Sequence, residues 1–200
     1  MIRWMPAATA LWLLCSTPAA MAQHSGSSPS MPGATAPAEA SQFDFLIGHW
    51  ELEITPKVSG LAAAIHGAPR LVGSWKAWRA LDGYGITDEL RVVDASGNPQ
   101  GLSHAVRFYD AGTRQWQMQL LDVYRARLST ATARWASGEM LATSSSMSPE
   151  GKPMLTRTRF FEIGPDRFRM RQDRSSDNGA SWDEGTLNIV AKRLARVAVR

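Results

Sequence analysis

Apolar and polar residues alternate along most of the chain beyond residue 42. Trp50-Glu-Leu-Glu-Ile54 has the period of two of a strand with one buried face, and the stretch from Tyr84 to Val93 repeats it. Phe160, Phe168 and Met170 keep the same period with their neighbours. Turn signals stand between these runs: Asp82-Gly83, Ser96-Gly97-Asn98-Pro99, Ala111-Gly112, Ser137-Gly138, Pro149-Glu150-Gly151, Gly164-Pro165-Asp166 and Asp177-Asn178-Gly179. The pattern predicts about nine or ten strands in an antiparallel sandwich or barrel. Helical spacing is confined to a short turn over Phe43 to Ile47 and a second over Leu61 to Ile65. A parallel α/β fold is not expected, and no glycine-rich phosphate loop is present.

One hairpin follows from the residues alone. With Gly164-Pro165-Asp166 as a three-residue turn, Ile163 pairs with Arg167, Phe161 with Arg169, Arg159 with Arg171 and Arg157 with Asp173. Glu162 then meets Phe168, Phe160 meets Met170 and Thr158 meets Gln172 on the other face. A one-residue slip would mix the arginine face with the apolar one, so the register is well specified.

The amino-terminal composition changes the picture. Arg3 supplies a positive charge, Ala7 to Cys15 is apolar, and Ala20-Met21-Ala22 is an A-x-A site. These are the parts of a secretory signal, with cleavage expected near Ala22 and a periplasmic or extracellular location. A lipoprotein signal on Cys15 is disfavoured because Leu13 and Leu14 precede the cysteine. The apolar stretch falls short of the roughly 20 residues of a membrane-spanning helix, and no later segment approaches that length. Cys15 is the only cysteine. After cleavage the chain would carry no disulfide, no thiolate metal site and no cysteine nucleophile. Residues 23–41, rich in Ser, Pro, Ala and Gly, are expected to form a flexible linker, and residues 42–199 a single domain.

The domain opens Phe43-Asp44-Phe45-Leu46-Ile47-Gly48-His49-Trp50. An aromatic turn followed by Gly-x-Trp resembles the opening of lipocalins and related calycin barrels. The chain also carries Ser175-Ser-Asp177-Asn-Gly179-Ala-Ser181-Trp182 before its last strand. The two motifs together resemble a family of secreted bacterial lipocalin-like proteins of unknown function. The resemblance implies an antiparallel up-and-down barrel of about eight to ten strands, with a short helical turn at its start. It also implies that Trp50 plugs one end, with Phe43 and Gly48, and that Arg193 on the last strand covers the Trp50 ring; such a contact contributes about 1 kcal/mol or more. The second motif resembles the Asp-box of sialidases too, but a propeller needs several such boxes. The simpler reading is a hairpin turn, with Asp177 bonding the loop backbone, Gly179 at positive φ and Trp182 packed beneath.

Barrels of this size can hold one small molecule. Trp116, Met118, Leu120 and Tyr124 alternate on one face, as do Tyr84, Ile86 and Asp88, and His104, Val106 and Phe108. With Trp78, the residues Tyr84, Asp88, His104, Phe108, Trp116, Met118 and Tyr124 are the candidate ligand-binding set. They suit a mostly apolar ligand with one polar handle, and equally suit a filled core. Asp88 and His104 could instead act as acid and base in a barrel isomerase, cyclase or hydrolase. Among His24, His49, His66 and His104 no metal-ligand spacing occurs, so no metal or cofactor is expected.

Charge adds one further candidate. All 18 acidic residues and 21 of 22 basic residues lie beyond residue 22, leaving a formal charge of +3 there. Nucleic acid is not an expected partner at that charge. The arginine face of Arg157, Arg159, Arg167, Arg169 and Arg171 could meet an anionic surface.

Overall fold

The computed structural model describes residues 35–58, 67–148 and 151–195. The expected signal sequence, the part of the expected linker up to residue 34 and the helical turn expected over Leu61 to Ile65 lie outside the described residues. Ten strands follow one another: β1 Gly48–Pro56, β2 Leu71–Ala80, β3 Gly85–Asp94, β4 Pro99–Asp110, β5 Gln115–Asp122, β6 Arg127–Ala136, β7 Glu139–Met147, β8 Pro153–Phe161, β9 Arg167–Ser175 and β10 Asp183–Arg193. Each pairs antiparallel with the next, and β10 closes onto β1. Closure leaves no free sheet edge.

Alternation sets the inside. In β1, Trp50, Leu52 and Ile54 are buried while Glu51, Glu53 and Thr55 are exposed. Trp75, Ile86, Met118, Phe160, Phe168, Met170 and Ile189 join them in one continuous interior. Before β1, Ala38–Ser41 and Asp44–Leu46 form 3-10 turns. The first of these falls in the stretch read as linker, yet Ala40 is buried and its carbonyl accepts a 2.8 Å bond from Arg79 Nη1. Arg79 also pairs with Asp44, so both turns are tied to β2.

These turns carry Phe43 and Leu46 into one end of the barrel, where both are fully buried with Trp50. The Phe43 ring meets Trp116 edge-on at 4.8 Å, and Trp50 meets Phe168 at 4.8 Å. Trp50 Nε1 donates to the Leu46 carbonyl at 2.7 Å. Arg193, directly opposite Trp50, lies over its ring at 4.0 Å. Its guanidinium donates to the carbonyls of Ile47 (2.8 Å), Phe45 (3.3 Å) and Pro165 (2.6 Å). Gly48 is required here: its φ is +132°, and a Cβ would collide with Arg193 Nη1.

The β8–β9 register is Arg157 to Asp173, Arg159 to Arg171 and Phe161 to Arg169 on one face, with Thr158 to Gln172 and Phe160 to Met170 on the other. The ladder stops at Phe161, so the expected pairs of Glu162 with Phe168 and Ile163 with Arg167 do not form. Glu162 adopts φ +49°, which turns the chain early, and a Gly164 N–H to Arg167 carbonyl bond of 2.8 Å closes the loop.

Candidate functional site

Between the aromatic plug and the opposite end of the barrel lies a cavity of about 140 Å³, partly open to solvent. Trp75 and Phe160 stand at its plug-side end, with Met118, Met170, Leu90 and Leu120 on its walls. Ala105, Ala131 and Ala142, on three different strands, face the same space. Their short side chains leave it unfilled. Toward the open end the lining turns polar, with Ser103, Ser129, Ser144, Thr156 and Gln172. Each sits near the end of its strand remote from the plug.

One charged pair stands in this interior. Asp88 and Arg107 are each 2 % exposed and form an ion pair through Oδ2 and Nη1. Asp88 Oδ1 accepts a 2.8 Å bond from Trp75 Nε1. The guanidinium lies 5.4 Å from the centre of the Phe43 ring. Arg107 Nε has no hydrogen-bond partner among the described residues. Burial pushes the Arg107 guanidinium down to about 9, which leaves it cationic at neutral pH. A buried ion pair of this kind gives up hydration that the pair itself only partly restores, so it is weak as a source of stability.

The structure divides the candidate ligand set. Asp88 and Met118 line the cavity. Trp116 shares the inward face of β5 but is buried against the plug, where its Nε1 donates to Gln42 Oε1 at 3.1 Å. Tyr84 lies between β2 and β3 at the plugged end, and Tyr124 is half exposed in the β5–β6 turn. Trp78, His104 and Phe108 are on the outer wall. Their rows there include Val106, Leu121 and Leu128, and Trp78, Phe108, Leu121 and Leu128 are exposed.

The β3–β4 hairpin explains the reversal. Val93 pairs with Pro99, and continuing that register would place Asp88 opposite His104. The ladder instead shifts between Val92 and Val93, so that Val92 pairs with Gly101 and Gln100 becomes the extra residue of a β-bulge. Asp88 therefore opposes Ala105, and Ser103, Ala105 and Arg107 turn inward. His104 turns outward, with Nε2 3.0 Å from Thr87 Oγ1. Asp88 and His104 occupy opposite faces of the wall, so they do not converge as an acid–base pair. Arg107 escaped the sequence reading because Leu102, Val106 and Phe108 on one face of β4 outweigh Ser103, Ala105 and Arg107 on the other in hydrophobicity, so the pattern pointed the wrong face inward. The bulge at Gln100 is the signal that would have exposed it.

The arginine face is largely neutralised from within. Arg157 and Arg171 hold Asp173, Arg171 also holds Glu184, Arg159 forks onto Glu139, and Arg169 meets Glu162. Arg167 alone of the five has no ion pair among the described residues. Asp173 is 1 % exposed although it stands on the outer face, covered by Arg157, which lies 4.4 Å above the Trp182 ring. Burial raises the Asp173 pKa, but the Gly185 N–H and the two guanidinium groups outweigh it and leave the carboxyl below its ordinary range. In the adjoining turn Asp177 accepts from the Ser181 backbone at 2.9 Å and from the Ser181 and Ser175 hydroxyls. The Ser181 hydroxyl and backbone bonds, then the Ser175 hydroxyl, lower its pKa from 3.8 to about 2. Gly179 has φ +91°. Among the described residues no helix is long and apolar enough to cross a membrane, and no three metal-ligating side chains cluster.

No protein-family model and no curated protein matches the chain. Among solved structures it is similar to an S-type phycobiliprotein lyase from Guillardia theta, at 9% identity and a TM-score of 0.52. The match covers 78% of this chain and 92% of the lyase chain. At that identity the likeness concerns the fold. The chain is a lipocalin-like closed barrel of ten antiparallel strands with a short helical turn at its start.

Proposed function

We propose that this is an exported, non-catalytic barrel that binds a small, mostly apolar molecule in the cell envelope or outside the cell. The observation that carries the reading is the cavity above Trp75 and Phe160, apolar below and polar at its mouth, with a single charged pair inside. A site that is mostly apolar with a few placed polar groups is the usual form of a small-molecule pocket. The similarity to a phycobiliprotein lyase agrees with a ligand-handling barrel. Export rests on the signal sequence ending near Ala22. Neither alternative has comparable support. The acid–base reading needs Asp88 and His104 together, and the anionic-surface reading needs five arginines of which four are already paired.

The cavity suits a single ring: an engineered apolar cavity of about 150 Å³ takes up benzene. Ethylbenzene is therefore a suitable probe, titrated by ligand-observed NMR. Saturable one-to-one binding is expected, and Ala131→Phe, which fills the cavity, should weaken it at least about tenfold, a loss of roughly 1.4 kcal/mol. Absence of saturable binding, or an unchanged affinity in the filled variant, would overturn the binding reading. Export is tested separately by expressing the full chain and fractionating the cells. A product beginning near residue 23 outside the cytoplasm is expected, whereas uncleaved cytoplasmic chain would reject it.

A further inference from the structure

We infer that the cavity selects a neutral ligand whose carbonyl oxygen accepts a hydrogen bond from Arg107; this rests on the cavity being the binding site. Asp88 and Arg107 are the acid and the base in the lining, and their formal charges cancel. The other polar groups there are hydroxyls and the Gln172 amide. A carboxylate ligand would bring a charge that no further cation balances, and an ammonium ligand would face Arg107 in the same apolar surroundings. Either would lose its hydration without full compensation.

The hydrogen-bond inventory of the pair is unequal. Asp88 accepts from Trp75 Nε1 through one oxygen and pairs with Arg107 through the other. A guanidinium carries five N–H donors; Arg107 directs Nη1 at Asp88, its Nε is unpartnered but closed off from the cavity space, and its Nη2 makes no hydrogen bond among the described residues. Arg107 thus lines the cavity with donors in surplus, and the complementary group is an acceptor that needs no proton of its own. A ketone, ester or amide carbonyl meets that need at no cost in net charge. The volume of about 140 Å³ sets the scale at one ring or an equally short chain, with any remainder of the ligand extending past Ser103 and Ser144 toward the open end.

A matched series tests this: acetophenone, ethylbenzene and benzoate share a ring and differ in the handle. At pH 7 acetophenone should bind about tenfold more tightly than ethylbenzene, as expected for a hydrogen bond from a charged donor, and benzoate should bind no more tightly than ethylbenzene. Equal affinity of acetophenone and ethylbenzene, or preference for benzoate, overturns the inference and leaves the cavity reading intact. Absence of binding by all three overturns both. Arg107→Met alone strands a buried Asp88 and is expected to unfold readily. The double variant Asp88→Leu/Arg107→Met removes both charges in similar volume and is expected to fold. In it the ratio of acetophenone to ethylbenzene affinity should fall to about one; a preference that persists in it would also refute the role of Arg107.

Discussion

Arg193 joins three separate pieces of chain with one guanidinium: the turn before β1, the β8–β9 loop and the Trp50 ring. Removing it leaves carbonyls at the plug without donors and uncovers Trp50. Arg193→Ala should cost about 2–3 kcal/mol, given the half-exposed setting of the side chain. Arg193→Lys should recover less than half of this, because an ammonium cannot fork between carbonyls and lie flat on an indole. Urea unfolding monitored by tryptophan fluorescence measures both. Arg107 behaves differently, since its partner is a charge. Arg107→Met should destabilise by about 3–5 kcal/mol, and adding Asp88→Leu should restore most of that. A double variant no more stable than the single one would mean that Asp88 is not the source of the penalty.

At the scale of elements, hairpins differ in how plainly their residues declare them. β8 and β9 separate arginines from Phe160, Phe168 and Met170, so only one register keeps the faces distinct, and that register is the one formed. β3 and β4 have no such contrast. Val92, Val93, Val106 and Phe108 make both faces apolar, and one bulged residue decides which side of Asp88 becomes the inside. The β9–β10 turn is declared by Ser175, Asp177, Gly179 and Ser181, which bond among themselves with no distant partner. Its electrostatics have a measurable consequence. The folded Asp177 pKa of about 2 lies below the ordinary 3.8, so its ionised form favours the folded state. That contribution is complete above the ordinary value and is lost as pH falls through about 4 toward 2. Asp173 acts in the same direction. The stability difference between the natural chain and Asp177→Asn should therefore shrink on acidification across that window. A difference that stays constant from pH 5 to pH 2 would contradict the bonding seen in the turn.

For the whole molecule, the decisive distinction is inside against outside. Trp78 was expected to meet the ligand and instead stands on the outer wall, 41 % exposed. Trp78→Ala should leave the ethylbenzene affinity unchanged within about twofold, while Ala131→Phe weakens it at least about tenfold; equal effects of the two would place the ligand elsewhere. Alternation of apolar residues, with turn signals at regular spacing, was enough to determine an all-β antiparallel fold of about ten strands. The sequence also sets the aromatic turn and Gly48 directly before Trp50, at the opening of the first strand. These are properties of neighbours along the chain, and period and turn chemistry act at that range. The cavity is not such a property. Its volume is what remains after side chains from seven neighbouring strands, β3 to β9, and from β2 have met across the barrel, and Ala105, Ala131 and Ala142 matter only because they face one another. The pairing of Asp88 with Arg107 depends likewise on a bulge that reverses one strand by a single residue. Closure and register decided the site because they fix which faces of distant strands share the interior, and no local pattern contains that information.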